Sequence, residues 1–344
     1  MKALSRVWGF VITLLLVGAA GCAPAAAPAD APTPVHDATP NLAPVTLGAG
    51  ERLRVVATTT IVADVVKNIG GERIALSTLL PVGADPHAFE PTPRDVASIS
   101  AAHVVFANGA GLEAFLDNLL RNAGEGVAVV DLSQGIELLE SAEAESHHGE
   151  AEGEHHEGEA EGEHGHHHGG ADPHIWFDPH NVMVWADTIA EALGALDPQG
   201  AETYRANAAA YKARLQELDA WIKGLVAQVP QENRRLVTDH TAFTYFAQRY
   251  GFEQVGAVFP GYSTLAEPSA ADLAALETAI REQEVRAVFV GLTVNPSLAQ
   301  RVAEDTGVQL VFLYTGSLSE PDGPAGDYLA MMRYNVSAIV AALR

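Results

Sequence analysis

The chain has 344 residues, a single cysteine, 44 acidic and 20 basic side chains and a formal charge of −24 at pH 7. That acidity excludes nucleic acid as a natural partner and suits a cation, and one cysteine excludes a disulfide framework. The length suffices for two domains, each with its own core.

Lys2 and Arg6 precede an apolar run, residues 7–20, that leads into Gly21 and Cys22, the layout of an export signal. The run is too short to span a bilayer, which needs about 20 residues. Residues 1–22 are therefore read as a lipoprotein-type signal peptide, with Cys22 as the residue that is acylated. Residues 23–50 are rich in Ala, Pro and Asp and are expected to form a disordered tether. The body then works outside the cytoplasm, in the periplasm or at the cell surface, held to the membrane through Cys22.

From residue 51 onward, short β-branched runs alternate with helical spacing. Strands are expected at residues 53–59, 74–80, 104–107 and 127–130, with helices at 61–69, 95–101 and 112–123. The second half repeats the scheme, with strands at 235–238, 285–290 and 309–313 and helices at 242–250, 270–283, 296–306 and 328–343. Such alternation is the signature of α/β lobes, each with a mainly parallel sheet flanked by helices. Between them, residues 198–229 are nearly free of helix breakers and would make one rigid helix about 45 Å long. The expected division is an N-terminal lobe at 51–197, this linking helix, and a C-terminal lobe at 230–344. A stiff link predicts small lobe movements.

Within the first lobe, residues 140–168 hold ten glutamates and eight histidines, with no lysine or arginine. Like-charged carboxylates spaced by Gly and Ala cannot bury enough apolar area to fold, and imidazole is the commonest side-chain ligand for transition metals. A flexible loop at 140–170 that collects metal is expected, with His147, His148, His155, His156, His164, His166, His167 and His168 as accessory ligands. It names a class of ligand but supplies no fixed geometry.

Three further histidines follow Asp-Pro: His87, His174 and His180. Proline sets the backbone before each imidazole and directs the chain into a turn. His240 follows an expected strand and opens a helix, at the edge of a sheet where ligands bind. His36 and His103 have no such setting and are read as structural.

The segments around His87 (residues 83–93), His174 (172–179) and His240 (238–246), with Ala266-Glu267-Pro268-Ser269, resemble the solute-binding proteins of bacterial zinc and manganese ABC importers. The match runs in order from about Leu53 to the C-terminus, and a His-rich acidic loop before the second histidine is a recurring feature of the zinc branch. The resemblance implies two lobes joined by one long helix, with metal in the cleft. It carries ligand roles onto His87, His174 and His240, and none onto His180. Family members commonly add a C-lobe aspartate, but Gly316 occupies that place. Water, a tract histidine, Asp322, Glu320 or Glu90 remain candidates for the fourth ligand, and an aspartate introduced at Gly316 is expected to tighten the site.

Three neutral imidazoles favour zinc, with manganese, which leans on carboxylates, as the alternative. The expected function is capture of Zn2+ and its delivery to an ABC-type permease and, through that, to an ATPase, by a monomer. A zinc hydrolase with an open coordination position, using Glu90 or Glu267 as base, is the competing class. The chain has no His-Glu-x-x-His pattern, and it is read as not an enzyme. A cell-adhesion protein or a metal buffer is a third possibility.

Overall fold

The computed structural model describes residues 42–123, 127–140 and 170–344. The export signal with Cys22, most of the expected tether and all eight tract histidines lie outside the described residues.

Leu53–Ala57 (β1), Ile74–Thr78 (β2), Val104–Ala107 (β3) and Ala128–Asp131 (β4) form one sheet in the order β2-β1-β3-β4, parallel throughout. Arg235–Thr238 (β5), Glu253–Ala257 (β6), Ala287–Gly291 (β7) and Gln309–Leu313 (β8) form a second, in the order β6-β5-β7-β8, also parallel. Central strands β3 and β7 are buried along their whole length, which is why they read as unbroken apolar runs. The predicted α/β class with two lobes is therefore what the chain forms.

Helices start and stop where local chemistry dictates. Helix α1 (Thr60–Gly70) begins because Thr59, in extended backbone, accepts the Val62 N–H at 3.1 Å. It ends at Gly71, whose φ of +54° suits glycine. Helices α2 (Pro93–Ser100) and α3 (Leu116–Ala123) complete the first lobe. The start of α3 is four residues later than predicted, because the Glu113 carboxylate instead accepts the N–H groups of Asn108 and Gly109 and holds a loop there.

The linking helix predicted at 198–229 is present as one continuous helix, trimmed by about one turn at each end. Helix α4 (Pro179–Leu196), which the strand and helix pattern did not reveal, leads through a 3-10 turn at Pro198–Gly200 into α5 (Ala201–Val226). The buried Asp197 side chain makes that break by accepting from the Gly200 N–H at 3.2 Å and the Tyr204 hydroxyl at 2.8 Å. At 26 residues, α5 is about 39 Å long. It packs against α1 and α4 on one side and against α9 (Tyr328–Leu343) of the second lobe. Helices α6 (Thr244–Tyr250), α7 (Ala270–Glu282) and α8 (Ser297–Thr306) cover the second sheet.

One apolar core runs through both lobes, from Leu53 and Val55 through Trp185, Tyr204 and Leu218 to Tyr328 and Met332. Shared packing of this kind resists wide opening more than a lone helix would. The tether also ends earlier than expected: Leu42, Val45 and Leu47 pack against the core, and Val45 donates to the Leu196 carbonyl at 2.8 Å. The apolar side chains of Leu42, Val45 and Leu47 face the core while Ala43, Pro44 and Thr46 are exposed, which explains why this stretch docks.

In each sheet the strand order reverses between its first strand and the third, which opens a crevice at the carboxyl ends of the strands. The two crevices supply the walls of the candidate site.

Candidate metal centre

Three turns bring three imidazoles to one point. His87 lies in the connection after β2, where the Asp85 carboxylate accepts the His87 N–H at 3.0 Å and Pro86 is buried. His174 follows Asp172-Pro173, and Asp172 Oδ1 accepts its backbone N–H at 2.9 Å and meets its ring Nδ1 at 2.7 Å. His240 leaves the end of β5, where Asp239 Oδ1 accepts its N–H at 2.7 Å and faces its Nδ1 at 2.9 Å. The second Asp239 oxygen accepts the Gly291 N–H at 2.7 Å, so that carboxylate is anchored to β7. Both carboxylates hold Nδ1 as the protonated nitrogen and leave the Nε2 lone pair for a cation.

The Nε2 atoms converge. His174 Nε2 is 3.2 Å from His87 Nε2 and 3.0 Å from His240 Nε2. Zinc–imidazole bonds of about 2.0–2.1 Å in a tetrahedron require nitrogens about 3.3–3.4 Å apart, so these two separations are within tenths of an ångström of that spacing, and all three donor atoms lie within 4.8 Å of one another. Among the described residues this is the one group of His, Cys, Asp and Glu side chains with metal-binding spacing. His174 and His240 are buried, 1 % and 2 % exposed, whereas His87 is half-buried, so His87 marks the open side. Burial, reinforced by the neighbouring imidazoles, pushes the His87 pKa down to about 2, and burial likewise lowers that of His174 despite Asp172. Both rings are thus held in the neutral form that binds metal.

The remaining wall is formed by Asp85, Pro86, Thr293, Thr315 and Gly316. Gly316 does stand at the centre, as the sequence placed it, but Pro86 already fills its side-chain space: a Cβ there would lie 2.6 Å from Pro86 Cδ. Glu90, Glu320 and Asp322 are exposed and are not brought into the histidine group. His180 is also apart, on the first turn of α4, with its Nε2 3.1 Å from Arg249. His103 is structural, its Nδ1 accepting the Arg54 N–H at 3.0 Å. The tract histidines and Cys22 fall outside the described residues.

Sequence reasoning missed the parts played by Asp172 and Asp239. The signal was present, since each carboxylate lies one or two residues before its histidine, where a side chain can close back on the ring.

Two parallel-sheet lobes with a cluster of three histidines at metal-binding spacing between them fit the metal-binding substrate-binding class. Residues 55–342 match the family described as zinc-uptake complex component A, periplasmic, and the chain belongs to that family of ABC-importer binding proteins. The manganese-binding lipoprotein MntA of Halalkalibacterium halodurans is 35% identical over 295 residues, covering 86% of this chain and 89% of that protein. The manganese ABC transporter substrate-binding lipoprotein PsaA of Streptococcus pneumoniae serotype 4 is 31% identical over 302 residues, covering 86% and 90%. The periplasmic zinc-binding protein TroA of Treponema pallidum superposes with a TM-score of 0.73 at 27% identity, covering 85% of this chain and 99% of that one. Membership in a family of metal carriers sets aside the hydrolase alternative.

Proposed function

We propose that the chain binds one divalent transition-metal ion at His87, His174 and His240, holds it outside the cytoplasm on a lipid anchor at Cys22, and hands it to an ABC-type permease. The observation that carries this reading is the convergence of three Nε2 atoms, 3.0 and 3.2 Å apart along the cluster, two of them backed by carboxylates on Nδ1. Lipoprotein relatives support the anchor.

For the identity of the cargo, two observations pull apart. An all-imidazole donor set with no carboxylate in the group favours zinc. The relatives named for manganese back the manganese alternative better than zinc, and that reading stands beside the first. The His-rich tract acts as an accessory collector in either case.

The His240→Ala protein tests the site itself. Loss of one of three donors should weaken zinc binding at least about tenfold, or about 1.4 kcal/mol, in competition with a chromophoric chelator. Parent-like affinity in that variant would remove His240 from the site.

A further inference from the structure

The half-buried His87 is the ligand through which an ion must leave, since His174 and His240 are buried and fixed by their carboxylates. Its turn is gripped by the opposite lobe at three points. The Gly83 N–H donates to Ser317 Oγ at 2.9 Å. Pro86 sits against Gly316, in the space a side chain there would take. Between these, the Thr264 hydroxyl donates to Asp85 Oδ2 at 2.6 Å. The other Asp85 oxygen accepts the His87 N–H, so one carboxylate joins the ligand's own peptide to the far side of the cleft.

Thr264 belongs to the connection between β6 and α7, and that connection is tied to the residues around His240. The Gly261 carbonyl accepts the Thr241 N–H at 2.9 Å, and the Phe259 N–H donates to the Asp239 carbonyl at 2.6 Å. A chain of hydrogen bonds therefore runs from the His240 strand end, through this connection and Asp85, to His87. A short bond from a hydroxyl to a carboxylate is of the stronger, charge-assisted kind.

We propose that Thr264 and Asp85 are positioning residues for metal retention: their hydrogen bond latches the His87 turn onto the second lobe and sets the rate at which the ion is released. Pro86, packed over Gly316, closes the same side of the site. The proposal rests on the three-histidine site described above, and it assigns a function to a contact that touches no metal.

The test uses zinc alone, released from the loaded full-length protein into excess chelator and followed by stopped flow, for the parent, Thr264→Val and Thr264→Ser. Valine keeps the shape and removes the donor; serine restores the donor. Thr264→Val is expected to release zinc about tenfold faster, about 1.4 kcal/mol in the barrier, with Thr264→Ser within about twofold of the parent and the metal-free unfolding temperatures unchanged. A zinc-loaded Thr264→Val protein that releases at the parent rate overturns the latch, as does a Thr264→Ser protein as fast as the valine variant. A parent that holds no stoichiometric zinc overturns the binding site and the latch together, which distinguishes that failure from the loss of the latch alone.

Discussion

Asp172 and His174 are joined twice through a single oxygen: Asp172 Oδ1 faces the ring Nδ1 at 2.7 Å and accepts the backbone N–H at 2.9 Å. The second oxygen is buried without a hydrogen-bond partner, so the carboxylate is committed to this one histidine. A carboxylate on Nδ1 fixes the tautomer and raises the donor strength of Nε2. Its conversion to an amide, Asp172→Asn, should lower zinc affinity by about 10- to 100-fold while the ring stays in place. Chelator competition measures this, and an unchanged affinity would mean that the carboxylate serves only to shape the turn.

Gly316→Asp was expected from the sequence to tighten the site. The contact with Pro86 reverses that expectation. Gly316 has no left-handed φ that would oppose a side chain, but a Cβ would come 2.6 Å from Pro86 Cδ and 3.1 Å from Cγ, atoms of a rigid ring. Pro86 adjoins His87, so the strain falls on a proposed ligand. Gly316→Asp should release zinc at least about threefold faster than the parent, a change of at least about 0.6 kcal/mol in the barrier. Slower release in the chelator chase would show that the turn yields and that the new carboxylate binds.

How much of this was written in the sequence depends on the range over which each feature is decided. Strands β3, β5 and β8 were legible because runs such as Val104-Val105-Phe106-Ala107 are set by local burial. Strand β6, Glu253-Gln254-Val255-Gly256-Ala257, was not, since it lies at a sheet edge and carries polar residues and a glycine. Helix α4 was hidden behind the third Asp-Pro-His: there Asp178 accepts the His180 N–H at 2.8 Å and Pro179 occupies the first helical position, so the same tripeptide that builds a ligand turn at residues 85–87 builds a helix start at 178–180. The three histidines that the fold brings together could be named through the resemblance. The fit of Pro86 into Gly316 and the bond from Thr264 to Asp85 join residues 230 and 179 positions apart, and no local pattern encodes them.

The base of the tract is held independently of the tract itself. Glu140 and Ala171 pair in antiparallel fashion, the Asp172 N–H donates to the Leu139 carbonyl at 2.7 Å, and the Tyr245 hydroxyl donates to the Asp172 carbonyl at 3.0 Å. Deletion of Glu143 to His168 should therefore reduce the number of zinc ions bound per chain yet leave the tight site within about threefold of the parent, under 0.7 kcal/mol. Metal counting with a competition titration checks both. Loss of the tight site would make a tract histidine its fourth ligand.

Asp64 on α1 accepts the Tyr328 N–H at 3.0 Å and so joins the two lobes. Burial raises its pKa to about 6, and the charge of Asp327 adds to this against the Tyr328 hydrogen bond. Because the folded pKa lies above the unfolded value of 3.8, the folded state holds the proton more tightly. The stability this confers is full below about pH 4 and is lost as pH rises through about 6, a change on the order of 3 kcal/mol. Asp64→Asn removes the ionisation. Its unfolding temperature relative to the parent should rise between pH 4 and pH 7.5, and a constant difference across that range would place the lobe junction's charge elsewhere.

The central claim, that His87, His174 and His240 together hold one divalent transition-metal ion, is tested most directly by dialysing the metal-free protein against zinc and, separately, against manganese and counting bound metal, with His87→Ala/His174→Ala/His240→Ala as control in a background lacking residues 143–168. One metal ion per chain in the parent background, with none in the control, is the predicted result. Equal metal in both proteins would contradict it.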